Sequence, residues 1–349
     1  MTGRDVYIRS AASALPGPPL DNATLAERFG MDALWQQWVD VFIGTASRHL
    51  ALDLDSGKLT VSLADLAEEA GRAALDRAGL GPDGVDAVVL GTATPDRLMP
   101  ATVNIVADRL GIDGVRSYQL QSGCSGAVQA LDLAQQLLRA GSARTVLVLG
   151  GDVIARFYDL DVDLRTTAPA ELVNYVLFGD AAGAAVLSTE PGPGSASVRA
   201  LFSRLVGLGR EPGAVLEWFG PADRDSDRPA ATEDYKAIER HVPVMAGEVL
   251  DELLDGLGWA REDVDLLLPP QLSGRMTRLI TEGLGLPDAE AVSCVDDAGN
   301  CGNAIVFLQL ERALARLAGG RRAVGISIES SKWLKAGFAL EGTGRELTP

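Results

Sequence analysis

The chain has 349 residues, 47% of them hydrophobic, enough for one large domain or two closely packed ones with a substantial core. Its 48 acidic residues against 31 basic ones give a formal charge of -17, which opposes unaided binding to nucleic acid or anionic membranes because phosphate contacts need Lys and Arg. No apolar run approaches the roughly 20 residues needed to span a bilayer and no secretory pattern opens the chain, so the expectation is a cytoplasmic protein.

In chain order, "SLADLAEEAGRAALDRAGL" (62–80) carries apolar residues at helical spacing and stops at glycine. "VDAVVLGTA" (85–93) is a continuous apolar run of strand length, as expected for a strand buried on both faces. "GAVQALDLAQQLLRAG" (126–141) is again helical, and "RTVLVLGGDV" (144–153) is again a buried strand. The alternation predicts an α/β fold. "STEPGPGSAS" (188–197) clusters Pro, Gly and Ser after the apolar run "AAGAAVLS" and reads as a linker between an N-terminal half (1–187) and a C-terminal half (198–349). "FGPADRDSDRPAATEDY" (219–235) reads as an insertion or surface loop before the helix "AIERHVPVMAGEVLDELL". The halves share an element order of strand, helix, strand, Gly-Cys-Gly type turn and long helix, with strand-to-turn separations of about 38 and about 36 residues.

Three cysteines, Cys124, Cys294 and Cys301, form no CxxC pair, so reduced thiols are expected. With only His49 and His241 present, no His-based zinc site is expected. Cys124, in "QSGCSGAVQA" (121–130), falls where a strand gives way to a helix, with Gly123 and Gly126 letting backbone approach a ligand. Free N–H groups and the positive helix end there would lower a thiol pKa, so the pattern suits a nucleophile. A small buried packing residue is the alternative that the pattern leaves open.

Four separated motifs bear on that choice: "QQWVDVFIGTASRHLA" (36–51), "SGCSGAVQALDLA" around Cys124, "FGDAAGAAVL" (178–187) and "GNCGNAI" (299–305). With them the chain resembles a ketoacyl-acyl-carrier-protein synthase III from near its start almost to its end. The resemblance implies a thiolase-like fold of two pseudo-repeated βαβαβαββ halves in a five-layered αβαβα arrangement, and a homodimer. It also implies that Cys124 is acylated by a coenzyme A or carrier-protein phosphopantetheine thioester, with no permanently bound cofactor, before the acyl group passes to a second substrate.

The family's second-substrate site pairs a His with an Asn. Asn300 is present, but "LPPQLSGRM" (268–276) puts Pro270 at the place of the His. Losing such a donor costs on the order of 3–4 kcal/mol of barrier stabilisation, which counts against ordinary decarboxylative condensation. Gln271 can donate a hydrogen bond there but is no base near neutral pH. His241 reads as a helix-surface or packing residue, and His49 matches a structural histidine of the family. Cys301 beside Asn300 is either a pocket wall or packing. An arginine that holds the coenzyme A adenine in the family falls at Phe42, while Trp38 and Arg275 are kept; Ser273 and Phe157 join them as candidate substrate contacts, with Trp35 and Met99 as further pocket candidates. The family's late glycine turn is replaced by "SIESSKWLKAG" (327–337), which offers Ser330 or Ser331 as a backbone oxyanion donor with Cys124 and Glu329 as a candidate general base.

Three readings follow. The first is an acyltransferase of specialised metabolism, polyketide or related, that passes the Cys124 acyl group to an oxygen, nitrogen or carbon nucleophile. The second is a decarboxylating ketoacyl synthase. The third is a non-catalytic partner subunit.

Overall fold

The computed structural model describes residues 4–167, 169–219, 223, 228, 229 and 231–344. The first half runs β1 (Tyr7–Ala14), β2 (Leu20–Asp21), α1 (Asn22–Arg28), α2 (Ala33–Trp38), β3 (Ser47–Arg48), α3 (Leu63–Ala78), β4 (Ala87–Thr92), α4 (Thr102–Leu110), β5 (Arg116–Gln121), α5 (Gly126–Arg139), β6 (Thr145–Asp152), α6 (Pro169–Leu177) and β7 (Ala181–Ser188). The second runs β8 (Ala196–Leu205), β9 (Ala214–Leu216), β10 (Ala231–Glu233), α7 (Tyr235–Leu257), β11 (Leu266–Leu268), α8 (Gly274–Gly283), β12 (Glu290–Ala291), α9 (Val295–Ala298), α10 (Ile305–Leu314), β13 (Arg322–Glu329) and β14 (Leu334–Gly342).

The local reasons are readable. Ser62 and Asp65 close a capping box at the start of α3, satisfying orphan N–H groups, and Gly79 ends it at φ 66°. Strands β4, β6 and β7 are buried at every position, which requires helices on both faces.

The strands of the first half lie in the order β1-β7-β6-β4-β5, and those of the second in the order β8-β14-β13-β11-β12. Counted within each half, the two orders are the same. The halves meet edge to edge through only two β1 to β8 pairs, Tyr7 with Ser197 and Ile8 with Ala196. One apolar cluster between the sheets takes in α5 and α10, a second packs α3 and α4 on the outside of the first sheet, and a third packs α7 and α8 on the outside of the second. This is a thiolase-like α/β fold in five layers. A fully buried leucine of the central layer such as Leu131, 1% exposed, contributes about 2–3 kcal/mol by its burial. The central helices start at the sheets' carboxyl ends, so the turn before α5 and the turn before α10 face each other.

Part of the polar stretch expected as a surface loop lies outside the described residues: 220–222, 224–227 and 230. Its end does not behave as a surface loop. Residues Ala231–Glu233 form β10 and pair antiparallel with β9, Glu233 opposite Ala214.

Candidate active site

Cys124 occupies the turn between β5 and α5, and its carbonyl accepts a 2.8 Å hydrogen bond from Ser327 Oγ of β13. The N–H groups of the three residues that follow it are taken. Ser125 N donates to Glu329 Oε2 at 3.0 Å, Gly126 N to Gly123 O at 3.0 Å and Ala127 N to Asn303 Oδ1 at 2.9 Å. The two glycines serve these side chains rather than a ligand: a Cβ on Gly123 would run into the Glu329 carboxylate, and one on Gly126 would meet Asn303 Oδ1 at 2.5 Å.

The expectation that the helix end lowers the Cys124 pKa is therefore corrected. Burial pushes the thiol well above its ordinary value, and the charges of Glu329, Glu233 and Asp152 push it further. The positive end of α5 is already neutralised by Glu329, a carboxylate 2% exposed whose Oε1 also accepts from Ser331 N at 3.3 Å. That bond also occupies the Ser331 N–H offered as an oxyanion donor. Ser330, whose carbonyl accepts from Gly213 N, remains beside the thiol. The turn after β13 is held by Trp333, at φ 59° and with Nε1 donating to Glu211 O at 2.7 Å.

Two cavities converge on Cys124. The first, about 650 Å³, is lined by Trp38, Phe42, Pro270, Ser273, Arg275 and Asn300 among others, and the second, about 510 Å³, by Phe157, Asn174, Tyr175 and Glu329 among others. Cys124, Phe178, Glu233, Gly302 and Ser330 line both. Trp38 stacks on Phe42 with centroids 6.4 Å apart, so the first cavity's wall has an aromatic pair where the resemblance led to an arginine beside a tryptophan. Ser273 caps α8 by accepting from Met276 N, which sets Arg275 in the first turn of that helix.

Asn300 Oδ1 accepts from Gly302 N at 3.1 Å, and its amide nitrogen has no partner among the described residues, leaving a donor for the cavity it lines. Pro270 lines the same cavity and offers no polar side chain. Gln271 does not make up for it. Its Oε1 accepts from Ser293 Oγ, Cys294 N and Val295 N, and its Nε2 donates to Pro269 O, so the amide is spent on holding the loop before α9.

Two pocket candidates are also corrected: Trp35 is buried in the cluster around α1 and α2, and Met99 is 85% exposed; neither lines the two cavities. Cys301 is buried with its Sγ toward Ala298 O, as packing. His241 stacks edge-on against Trp333 away from both cavities, and His49 Nδ1 faces the carbonyls of Pro16 and Gly17.

Sequence reasoning missed two groups. Asp152, 1% exposed, accepts from Thr92, Ala93 and Thr94 through Oδ1 and from Asn303 N and Nδ2 through Oδ2. Asn303 passes the link on to Ala127 N and Ser122 O, locking the Cys124 turn to the second half. Glu233, from the stretch read as a loop, is the other.

The family model described as 3-oxoacyl-[acyl-carrier-protein (ACP)] synthase III matches residues 118–203, and its C-terminal companion matches residues 254–329. A beta-ketoacyl-[acyl-carrier-protein] synthase III of Rhodospirillum centenum is 36% identical over 278 residues, 80% of this chain and 81% of that protein. The chain belongs to the 3-oxoacyl-(acyl-carrier-protein) synthase III family. Among solved structures of this fold, the synthase III of Pseudomonas aeruginosa superposes with a TM-score of 0.82 at 28% identity, covering 99% of this chain and 100% of that one. A structure described as AbyA1, a tetronic acid condensing enzyme, superposes with a TM-score of 0.94 at 71% identity, covering 97% of this chain and 100% of that one. As a synthase III relative, the chain is an acyl-transferring condensing enzyme. Among the described residues no helix is long and apolar enough to cross a membrane.

Proposed function

We propose that this protein joins an acyl group carried on Cys124 to the central carbon of a β-ketoacyl thioester without decarboxylation, and closes the product to a tetronic acid ring. A tetronic acid is a five-membered lactone bearing an enol. Disconnecting it gives a 2-hydroxyacyl unit and a β-ketoacyl unit joined by one carbon–carbon and one carbon–oxygen bond.

The observation that carries the reading is Pro270 in the cavity that Asn300 lines, with the charges of Glu329 and Glu233 acting on the thiol. A malonyl donor must lose carbon dioxide to become a carbanion, and the developing enolate then needs two donors. A carbon between two carbonyls can instead lose a proton to a base, its anion being spread over both oxygens. The site suits the second chemistry: one amide donor from Asn300, and carboxylates able to accept protons. The likeness to the tetronic acid condensing enzyme supports the same reaction class.

Acylation begins at the Cys124 thiol, held neutral by burial: its proton passes to Glu329, which is bonded to Ser125 N in the same turn, the sulfur bonds to the donor's carbonyl carbon, and the donor's carbon–sulfur bond breaks to a thiolate that takes the proton. The carbanion then attacks the Cys124 thioester, the new carbon–carbon bond forms, the carbon–sulfur bond breaks and the thiolate regains a proton. Trp38, Phe42 and Arg275 line the cavity that a phosphopantetheine arm would enter, whether carried by coenzyme A or by a carrier protein. Exposed Leu98 and Met99 suit burial against a second copy in a cytoplasmic homodimer.

Intact-mass measurement after incubation with acyl pantetheine thioesters tests the first step: one acyl adduct is expected, absent in Cys124→Ala. Supplying malonyl thioester to the acylated protein tests the second. No carbon dioxide release is expected, and rapid release dependent on Asn300 would favour the decarboxylating reaction.

A further inference from the structure

The two carboxylates beside the thiol sit in different surroundings. Glu329 is bound by two backbone N–H groups and serves the turn it caps. Glu233 makes no ion pair with a Lys, Arg or His among the described residues, and the Tyr235 hydroxyl two residues on is turned to another acceptor. Tyr235 is itself fixed by donating to Asn174 Oδ1 at 2.6 Å. Glu233 is half-buried in a cavity wall with no cation beside it, so it gives up part of its hydration without an ion pair in return.

Its position is built rather than incidental. The β9 and β10 pairing sets Glu233 opposite Ala214, Asp234 N donates to Gly213 O, and Gly213 N donates to Ser330 O beside Cys124. The hairpin thus places Glu233 where the two cavities meet, on the wall of both and facing the thiol. Burial raises its carboxyl above the ordinary range, which makes it a better proton acceptor than a solvated carboxylate. The second cavity is walled mostly by apolar side chains, so beside the thiol the carboxylates are the groups that can take a hydroxyl's proton.

We propose that Glu233 receives the hydroxyl of the acyl group held on Cys124 and is the general base for the carbon–oxygen bond that closes the ring. The inference rests on the tetronic acid reading above. The hydroxyl O–H bond breaks and its proton passes to the Glu233 carboxylate. The oxygen bonds to the thioester carbonyl carbon of the second substrate, the carbon–sulfur bond there breaks, and the leaving thiolate takes the proton back from Glu233.

The test compares wild type, Glu233→Gln and Glu233→Asp in two arms. In the first, Cys124 acylation rates are measured by intact mass with 2-hydroxypropanoyl and propanoyl pantetheine thioesters. Wild type is expected to prefer the hydroxylated donor, Glu233→Gln to lose about tenfold or more of that preference, and Glu233→Asp to keep part of it. In the second, 3-oxobutanoyl pantetheine is added and ring product is separated from open-chain product; Glu233→Gln is expected to form the ring about a hundredfold more slowly. An unchanged hydroxyl preference with unchanged ring closure in Glu233→Gln overturns the role of Glu233. If wild type makes no ring at all, the reading of the overall reaction fails, and the acylation arm still decides whether Glu233 recognises the hydroxyl.

Discussion

Replacing Glu329 with glutamine is expected to make Cys124 more reactive toward a small alkylating agent while making the enzyme a poorer catalyst. The thiol is held neutral by burial first and by the Glu329 charge next. Glu329 Oε2 sits 3.0 Å from the amide nitrogen of the residue after Cys124, so the charge lies close to the sulfur. At a separation on the order of 6 Å and an effective dielectric of about 20, the repulsion on a thiolate is about 2.8 kcal/mol, which is about a hundredfold in an equilibrium constant. Glutamine keeps an acceptor for Ser125 N and removes that charge. At a pH below both thiol pKa values the thiolate fraction rises about a hundredfold, and a less basic thiolate is a weaker nucleophile, so the net gain in alkylation rate is about tenfold. The assay is the pH dependence of iodoacetamide labelling at Cys124, followed by peptide mass. The midpoint is expected to move to lower pH in Glu329→Gln while condensation slows through loss of the proton acceptor. An unchanged or higher midpoint would refute the placement of a negative charge beside the sulfur.

Cys294 and Cys301, both buried, are expected to stay unlabelled under native conditions, so Cys124→Ala abolishes labelling altogether. Pro270→His returns a donor opposite Asn300, and carbon dioxide release from malonyl thioester is expected to become measurable above the wild-type rate. Asn303→Ala strips partners from Asp152, Ala127 N and Ser122 O at once; unfolding in urea should show a loss of about 2–4 kcal/mol. Asp180 is pushed up to about 6 by burial, against hydrogen bonds from Ala51, Ile154 and Ala155. A carboxyl raised in the folded state binds its proton more tightly there than in the unfolded chain. Its contribution to stability is therefore full below about pH 4 and is lost as pH rises toward 6. The stability difference between wild type and Asp180→Asn, followed by urea unfolding, is expected to fall across that window and level off above it.

The elements were legible because each helix and strand carries its own period: buried runs such as Val146 to Leu149 can only be strands covered on both faces, and the capping pair Ser62 and Asp65 is local. Cys124, Asn300 and the proline at position 270 were legible as residues at motif positions. What surrounds them was not. The N–H groups expected to activate Cys124 are consumed by Glu329 and Asn303, 204 and 176 positions away from the groups they bind, and a one-dimensional pattern has no means of pairing them. Gln271 looks free in sequence and is held in the fold, because three donors converge on its oxygen from the segment that opens α9. Glu233 lay in a polar stretch whose composition is that of a surface loop, and only the β9 and β10 pairing carries it inward.

The most direct test of the account uses a 2-hydroxypropanoyl thioester labelled with heavy oxygen at its hydroxyl, together with 3-oxobutanoyl thioester, followed by product mass and thiol release. The expected product is a tetronic acid that keeps the label in its ring, with two thiols released for each product and no carbon dioxide, all dependent on Cys124. An open-chain product with one thiol released, or condensation that proceeds only with a malonyl donor and releases carbon dioxide, would contradict it.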